Sequence, residues 1–446
     1  SINMNETKKL YIETYGCQMN FSDSQIVASI LSDNQFNTTN EASEADLILI
    51  NTCSIRDKAE QRVWKRLREL KAMKKKNPSL KIGVIGCMAE RLKDVLLDPE
   101  HKVDLVAGPD AYRDLPSLIA ETESGQKAAN IQLSLDETYA DIDPVRYDSN
   151  GISAFISIMR GCENFCSYCV VPFTRGKERS RDPQTIINEA TALFNNGYRE
   201  VTLLGQNVNS YHFSDPTTST GFPQLLAQVA EISPLLRVRF TTSHPRDLSD
   251  DLLYTIAKHP NICKSIHLAV QSGSDQVLDR MNRKYTRQWF MDRISAIRNI
   301  IPNAAISTDI IAGFSGETDA DHADTLSLME WVRFDYAFMF RYSERSGTIA
   351  AKKYADDVTD EVKARRLKEI IDLQHKLSLK SNKNDVGKVF EVLVEGFSKK
   401  SNQQVSGRNS QNKVVVFDNQ NFKPGDYAQV RITSCTSATL IGTVET

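Results

Sequence analysis

The chain carries the run Arg160-Gly161-Cys162-Glu163-Asn164-Phe165-Cys166-Ser167-Tyr168-Cys169, in which three cysteines are spaced C-x3-C-x2-C. The run follows a strand-like segment at 154–158. Three thiolates on a short loop can hold three irons of a 4Fe–4S cluster, because cysteine thiolates are the usual ligands of such clusters. A cubane has four irons, so one iron keeps an open coordination position. The spacing therefore predicts a cluster that can bind a further small molecule.

A zinc site is the alternative interpretation of these cysteines. Structural zinc takes four ligands, and no fourth Cys or His lies close to 162–169 in the sequence, so the number of ligands favours the cluster. The spacing resembles the signature of the radical S-adenosylmethionine (SAM) superfamily. That resemblance implies that the open iron binds the amino and carboxylate groups of SAM, and that Tyr168 packs against its adenine.

Length and composition limit the protein to a few classes. With 446 residues, 40% hydrophobic and 25% charged, the chain is expected to form two or three globular domains. No apolar run long enough to span a membrane occurs, and no apolar N-terminal segment argues for export, so a cytoplasmic protein is expected. Eight cysteines also suit a reducing compartment. Because the net charge is −2, any nucleic-acid surface must be a local patch.

A second group of cysteines follows three separate strand-like runs. Cys17, Cys53 and Cys87 each end such a run, at separations of 36 and 34 residues, about the length of a β–α–β unit. Helix-like stretches at 23–31 and 57–73 lie between the runs, which predicts a parallel sheet. Parallel strands end at one edge of their sheet, so the three thiols would meet there as a second cluster site. Three buried structural thiols are the alternative.

From about residue 153 the chain alternates strand-like and helix-like segments. Helical stretches such as 183–195 and 287–300 separate the strands. The pattern predicts an open (β/α)6 parallel barrel related to the TIM barrel, with the active site at the C-terminal ends of the strands. The cysteine loop at 162–169 follows the first strand, where that rule places chemistry. The strands are expected at 154–158, 200–204, 237–240, 265–268, 305–311 and 336–340.

Polar, glycine-containing runs follow the later strands of the predicted barrel. One such run says little, because Gly and Ser are common in turns, but five at one rim predict a ligand-lined mouth. His244 and His267 are expected to be positioning residues, since no further metal ligand stands at a suitable spacing. The candidate SAM-binding residues are Tyr168, Gln206, Asn207, Ser243, Gln271, Gly313 and Glu317.

The C-terminal part of the chain has a different pattern. A charged helical stretch at 360–381 precedes β segments separated by turn signals, which predicts a small β-barrel. Basic residues, including Arg408 and Lys413, give it local positive charge, and small barrels with basic loops often bind RNA. A solvated charged face is the alternative. The β segments are expected at 388–394, 413–417, 427–432 and 438–444.

Together these segments resemble the methylthiotransferase family over nearly the whole chain. The resemblance rests on the runs Tyr15-Gly16-Cys17-Gln18-Met19-Asn20, Asn51-Thr52-Cys53-Ser54-Ile55-Arg56, Gly86-Cys87-Met88-Ala89-Glu90-Arg91 and Thr174-Arg175-Gly176-Lys177-Glu178-Arg179-Ser180-Arg181. Ala269, where the family generally has Pro, and Asn409, where Thr is usual, depart from its pattern. The resemblance implies an α/β chain with an N-terminal auxiliary-cluster domain at 8–125, a linker at 126–147, a radical SAM domain at 148–380 and a TRAM domain at 381–446.

The resemblance further implies methylthiolation of carbon 2 of N(6)-isopentenyladenosine beside a tRNA anticodon. One SAM would methylate a sulfur carried on the auxiliary cluster of the N-terminal cysteines, and a second SAM, at the 162–169 loop, would give a 5′-deoxyadenosyl radical. The target base would have to leave the anticodon-loop stack to react. The six cysteines, as ligands of the two clusters, are the expected catalytic residues. The candidate phosphate contacts are Arg175, Arg179, Arg181, Arg408 and Lys413.

The expected partners are a tRNA anticodon stem-loop, an electron donor of the flavodoxin or ferredoxin type and a sulfur donor of unknown identity; the family implies a monomer. The alternatives are a methylthiotransferase acting on another tRNA nucleoside or a ribosomal protein, an iron–sulfur RNA-binding regulator without turnover, and a zinc-bearing RNA-binding protein. The run around Cys53 argues against the ribosomal-protein substrate, and the ligand-lined rim argues against a regulator.

Overall fold

The computed structural model describes residues 7–53, 57–241, 243–398 and 401–446. Residues 54–56 of the run quoted around Cys53 lie outside the described residues. Within the described ranges, no helix has the length and apolar character needed to cross a membrane.

The N-terminal part is a parallel sheet covered by helices. Its described strands are β1 (Lys8–Thr14), β2 (Phe36–Thr38), β3 (Leu47–Thr52), β4 (Lys81–Gly86), β5 (Leu105–Ala107) and β6 (Ala128–Asn130). They pair in the order β2-β1-β3-β4-β5-β6, each pair parallel. Its helices are α1 (Gln18–Ser32), α2 (Asp57–Lys76), α3 (Cys87–Leu96) and α4 (Leu115–Glu123).

The predicted parallel sheet is confirmed. The apolar strand β3 is buried along its whole length, as expected for a central parallel strand covered on both faces. It pairs with β1 on one side and β4 on the other. The three strands that precede Cys17, Cys53 and Cys87 are therefore direct neighbours, and their C-terminal ends share one edge of the sheet.

The central part contains six strands that form an open parallel barrel within the described residues. They form two groups, β13-β10-β7 and β14-β15-β16, in which β7 is Ser153–Ser157, β10 is Glu200–Leu204, β13 is Arg237–Thr241, β14 is Ser265–His267, β15 is Ala305–Ala312 and β16 is Tyr336–Arg341. The amide of Val238 donates to Asn261 O and the amide of Cys263 donates to Val238 O, both at 2.9 Å, which joins the two groups. The predicted partial barrel is confirmed.

Helices cover the outside of this barrel. Two of them, α6 and α10, begin and end at the predicted residues. A side chain caps the start of each: Asp182 accepts from Gln184 N at 2.8 Å, and Thr286 accepts from Trp289 N at 3.1 Å. The helices are α5 (Val171–Thr174), α6 (Pro183–Asn195), α7 (Phe222–Ala230), α8 (Asp250–Lys258), α9 (Asp275–Arg280), α10 (Arg287–Ile300), α11 (Asp319–Val332), α12 (Ile349–Lys353) and α13 (Asp360–Asp385). The short strand pairs are β8 (Met159–Arg160) with β9 (Arg179–Ser180), and β11 (His212–Ser214) with β12 (Ser219–Gly221).

The two faces of the barrel strands differ in polarity. Along β10, Val201 and Leu203 pack into the apolar core under the helices, whereas Glu200 and Thr202 face the barrel interior and line a cavity. Side chains alternate between the two faces of a strand, so β10 contributes both to the apolar core and to the cavity lining. The barrel interior is polar in consequence and can take up a polar ligand.

The C-terminal part is a closed β-barrel, which confirms the predicted small barrel; its five strands, β17 to β21, pair in the order β17-β18-β19-β21-β20. The sequence did not predict β18 (Ser401–Arg408), whose residues lack an apolar alternation. Helix α13 continues to Asp385, four residues beyond the predicted end at 381. The other strands are β17 (Val389–Ser398), β19 (Val414–Asp418), β20 (Tyr427–Cys435) and β21 (Thr439–Val444).

The C-terminal barrel closes the central barrel at the N-terminal ends of its strands. Arg237, the first residue of β13, donates to Arg408 O at 2.7 Å, and Arg239 donates to Asn409 O at 2.7 Å. The hydroxyl of Tyr427 donates to Leu235 O at 2.6 Å. The opposite end, where the 162–169 loop lies, faces the N-terminal sheet.

Candidate active site

A cavity of about 1040 Å³ connects the three parts of the chain. At one end it is lined by five of the six predicted cluster ligands: Cys17, Cys53, Cys162, Cys166 and Cys169. Cys87 is buried and does not line the cavity. At the other end the lining includes residues of the C-terminal barrel. The structure thus brings two cysteine groups from separate domains to one cavity.

The thiols of the 162–169 loop each accept a hydrogen bond from an N–H donor. Such donors favour the thiolate form, which is the form that binds iron. Burial raises the pKa of Cys162 to about 11, so metal binding must displace its proton. The donors are Asn164 N to Cys162 Sγ at 3.5 Å, Val171 N to Cys169 Sγ at 3.4 Å and Arg283 Nη1 to Cys166 Sγ at 3.2 Å.

Arg283 also fixes the aromatic ring of the loop. Its Nη1 donates to Tyr168 Oη at 3.2 Å, and its guanidinium is buried against Tyr285. Tyr168 lines the cavity beside the cysteines. The ring that the resemblance places against adenine is therefore held at a set position relative to Cys166.

The N-terminal cysteines meet because Gly16 allows a close approach. The φ of Gly16 is +118°, and a Cβ there would lie 2.4 Å from the Cβ of Cys53, so a larger residue does not fit. Cys17 immediately precedes α1, and its Sγ donates to Asn20 Oδ1 at 3.2 Å. A hydrogen bond from Cys53 lowers the pKa of Cys17 to about 6, although burial opposes this, and the positive charge of Arg175 acts in the same direction. Burial raises the pKa of Cys87.

Asp23 of α1 links the two cysteine groups. Its buried carboxylate accepts hydrogen bonds from Arg160 Nη1 at 2.8 Å and from Arg175 Nη1 at 3.1 Å. Arg160 precedes the 162–169 loop and Arg175 follows it, whereas Asp23 belongs to the helix that begins after Cys17. Burial favours the neutral acid, but the two guanidinium groups hold the pKa of Asp23 below its ordinary value. This ion triad therefore fixes the segment that contains the 162–169 loop against helix α1.

Three of the predicted phosphate contacts are internal. Arg175, Arg179 and Arg181 are at most 5% exposed, whereas a phosphate contact needs a guanidinium that faces solvent. Each is paired with a carboxylate instead. The pairs are Arg175 with Asp23 at 3.1 Å, Arg179 with Asp110 at 2.7 Å and Arg181 with Glu189 at 3.4 Å. These arginines therefore hold the fold around the 162–169 loop.

The two predicted phosphate contacts of the C-terminal barrel line the closed end of the cavity. Lys413 is mostly buried and donates to Ser381 Oγ at 2.8 Å and to Asp385 Oδ2 at 2.7 Å. Arg408 lies 3.4 Å from Glu395. The Lys413 side chain thus joins the C-terminal barrel to α13, whereas the Arg408 side chain pairs within the barrel.

The predicted SAM contacts divide into two sets. Tyr168, Gln206, Ser243 and Gln271 line the cavity. The Oε1 atom of Gln271 is buried and has no hydrogen-bond partner among the described residues, and the backbone there has φ +71°. Such a strained residue with a free acceptor is typical of a ligand site.

The other three predicted SAM contacts are absent from the cavity lining. The Asn207 amide donates to Asp247 Oδ2 at 2.6 Å and accepts from His244 N at 3.1 Å, so it holds its own loop. Glu317 accepts from Gly313 N at 3.0 Å and pairs with Arg366 of α13 at 3.1 Å. These contacts brace α13 against the barrel rather than face a ligand.

Both histidines of the barrel rim have polar contacts that position them. His267 shares a hydrogen bond with Ser307 Oγ at 2.8 Å and lies 3.3 Å from Asp309. Burial lowers the pKa of His244 to about 2, so its ring is neutral, and its Nδ1 accepts from Arg246 N. No group of three or more His, Cys, Asp or Glu side chains in the described ranges is arranged to hold a single metal ion.

Three family models match the chain. They are "Uncharacterized protein family UPF0004" over residues 9–108, "Radical SAM superfamily" over 156–329 and "TRAM domain" over 383–444. Among solved structures, the radical SAM methyltransferase TsrM from Kitasatospora setae matches with a TM-score of 0.56 and 11% identity, covering 78% of this chain and 77% of that one. Fold and site together define a radical SAM protein with an N-terminal α/β domain and a C-terminal TRAM barrel.

Curated relatives match almost the whole chain. The tRNA-2-methylthio-N(6)-dimethylallyladenosine synthase of Amoebophilus asiaticus is 59% identical and covers 98% of this chain and 93% of that protein. The proteins of the same name from Phocaeicola vulgatus and Flavobacterium psychrophilum are 57% and 56% identical, covering 98% of this chain and 96% and 94% of their own lengths. The chain belongs to the tRNA-2-methylthio-N(6)-dimethylallyladenosine synthase family.

Replacing Asp23 by Asn should destabilise the protein strongly. Two buried guanidinium groups lose their counter-charge, which costs about 3–5 kcal/mol. The shift is measured from the urea-unfolding midpoint of the metal-free protein. Asp141→Asn is the matched control, since Asp141 is 73% exposed and paired with Arg113, so about 1 kcal/mol or less is expected. Equal shifts for the two variants would contradict the role given to Asp23.

The pH dependence of alkylation should separate the N-terminal thiols. In metal-free protein the rate of iodoacetamide reaction at Cys17 should rise through about pH 6 and level off by pH 7, because the thiolate is the nucleophile. Cys87 should show no plateau there, because burial raises its pKa. Mass spectrometry of peptides gives both rates. Cys53→Ala removes the hydrogen bond and should move the Cys17 midpoint upward; an unchanged midpoint would disprove that cause.

Proposed function

We propose that this protein is a tRNA methylthiotransferase that places a methylthio group on carbon 2 of N(6)-isopentenyladenosine beside the anticodon. One observation carries the proposal: two cysteine groups from separate domains reach one cavity, in a chain 59% identical over nearly its whole length to a synthase named for that product.

The cofactors are two 4Fe–4S clusters and SAM. Cys162, Cys166 and Cys169 would hold one cluster, and the group of Cys17, Cys53 and Cys87 would hold the other. When bound, they supply reductive cleavage of SAM at the first site and sulfur and methyl transfer at the second. The N–H donors at the first site fit thiolate ligands, and the lowered pKa of Cys17 fits a ligand at the second.

The chain's own residues position and enclose the reactants. Arg283 fixes Tyr168 against Cys166, and Gln271 offers a free acceptor to a polar cofactor. The C-terminal barrel closes the far end of the cavity and excludes water from that side, which protects reactive species. The Asp23 triad keeps the two cysteine groups at a constant separation.

The substrate base has aromatic surface available inside the cavity. Phe21 and Phe338 line it and keep 39% and 52% of their surface exposed. An extruded purine can stack on such rings. Phe21 belongs to α1, which begins after Cys17, and Phe338 lies on β16 of the barrel. A base stacked on either ring would lie in the cavity that both cysteine groups line.

The proposal also covers the RNA substrate, the electron donor, the oligomeric state and the compartment. The substrate is a tRNA anticodon stem-loop, because a single-stranded loop releases a base more easily than a duplex does. A flavodoxin or ferredoxin supplies electrons, the protein acts as a monomer and it works in the cytoplasm with its tRNA.

Product analysis of cysteine variants tests the function. Anaerobically reconstituted protein is given SAM, a reductant and isopentenylated tRNA, and the digested nucleosides are examined by mass spectrometry. Wild type should form 5′-deoxyadenosine and the 2-methylthio nucleoside. Cys162→Ala should form neither. Cys87→Ala should lose about half of the iron and the methylthio product while still cleaving SAM.

Cys435→Ala is the matched control, because Cys435 is a partly exposed thiol of the C-terminal barrel. It should keep both products. A wild-type protein that carries both clusters and leaves the nucleoside unchanged would contradict the proposed substrate. Methylthio product from Cys87→Ala would contradict the role of the N-terminal cysteines.

A further inference from the structure

Helix α2 carries a dense set of cations that the proposed chemistry does not use. Arg66 pairs with Glu13 and Glu69, and Lys74 pairs with Asp104. Six further cations form no ion pair with any carboxylate among the described residues. These six, which define the basic face of α2, are Arg62, Lys65, Arg68, Lys71, Lys75 and Lys76.

The basic face points away from the protein. All of its members except the partly exposed Lys71 are exposed. On the other side of the helix, Val63, Leu67 and Leu70 are at most 2% exposed and pack in the core of the N-terminal sheet. Residues three or four apart share one face of a helix, so the cations and the apolar residues separate into two faces.

The helix alone does not account for this charge. Cations in the last turn are favoured by the helix dipole, which explains Lys75 and Lys76. Arg62, Lys65 and Arg68 lie outside that turn, so the dipole does not account for them. Like charges three or four residues apart also repel. In a chain of net charge −2, such a concentration indicates an external polyanion as its partner.

The basic face lies on the helix that follows Cys53 in the chain. Helix α2 begins four residues after Cys53, which lines the cavity. In its first turn, Glu60 pairs with Arg91 of the N-terminal domain and lies 3.3 Å from Arg345 in the loop after β16. The cations from 62 to 76 then extend over about 21 Å at 1.5 Å per residue, long enough to follow several phosphates.

We propose that the basic face of α2 binds the phosphate backbone of the tRNA whose base enters the cavity. This inference rests on the proposed function and names the surface that recognises its substrate. The basic face of α2 would supply the phosphate contacts that were predicted for Arg175, Arg179 and Arg181, which are buried. The contacts are to phosphate, so they fix the position of the tRNA and carry no sequence preference.

Binding measurements on the cluster-loaded protein test the proposal. The variant Arg62→Gln/Lys65→Gln/Arg68→Gln is compared with Lys376→Gln/Lys380→Gln/Lys383→Gln, which removes three exposed cations from α13. The α2 variant should bind tRNA about tenfold or more weakly, and its log K against log [KCl] slope should be shallower by about three. The α13 variant should stay within about twofold of wild type by the same salt-linkage rule.

Kinetics provide a second readout. The α2 variant should raise the KM for tRNA and leave kcat and tRNA-independent SAM cleavage unchanged, because phosphate contacts far from the chemistry contribute uniform binding. If the triple variant does not fold, Lys75→Gln/Lys76→Gln tests the other end of the same face. An α2 variant that matches the α13 variant in affinity and salt slope, while wild type forms product, would overturn this proposal alone. A wild type that neither binds nor modifies tRNA would overturn the proposed function as well.

Discussion

The carboxylate of Asp23, buried between Arg160 and Arg175, is the interaction on which the arrangement of the site depends. Taking three charged groups out of water costs several kcal/mol per ion, and their mutual attraction offsets that cost only when the geometry is well defined. The triad therefore adds little net stability, and its main effect is to fix the relative position of the segments that carry the three residues. It connects α1, which begins beside Cys17, with both ends of the 162–169 loop.

The same topological rule places both groups of cysteines. In the N-terminal sheet and in the central barrel, parallel strands end at one edge, and the residues after them meet there. The two edges face each other across one cavity. The C-terminal barrel covers the opposite end through Arg237, Arg239 and Tyr427.

The features that the sequence predicted depend on local pattern. The spacing of the cysteines, the strand and helix alternation, and the capped helices α6 and α10 are all visible within a few residues. Strand β18 was missed because its polar run has no apolar alternation, and tertiary pairing rather than propensity makes it a strand. The partners of Asn207 and Glu317 also lie in other elements, so sequence reasoning wrongly predicted both residues to contact a ligand.

The buried arginines show most clearly that local sequence patterns do not predict contacts between distant residues. Arg175, Arg179 and Arg181 stand in a basic run that is typical of a phosphate-binding segment, yet each finds a carboxylate elsewhere in the fold. Arg160 and Asp23 are 137 residues apart, and no local pattern joins them. Conversely, the charge of α2 is plain in the sequence, but only the structure shows that its cations are exposed and lie opposite the apolar residues of the helix.

The separation of the two clusters is the most direct test of this arrangement. Pulsed EPR on the protein with both clusters reduced measures the magnetic dipolar coupling between them. Two cysteine groups held by one buried triad on one cavity should give a single narrow distance, the same with and without tRNA. A broad distribution, or no measurable coupling, would contradict a fixed site shared by the two domains.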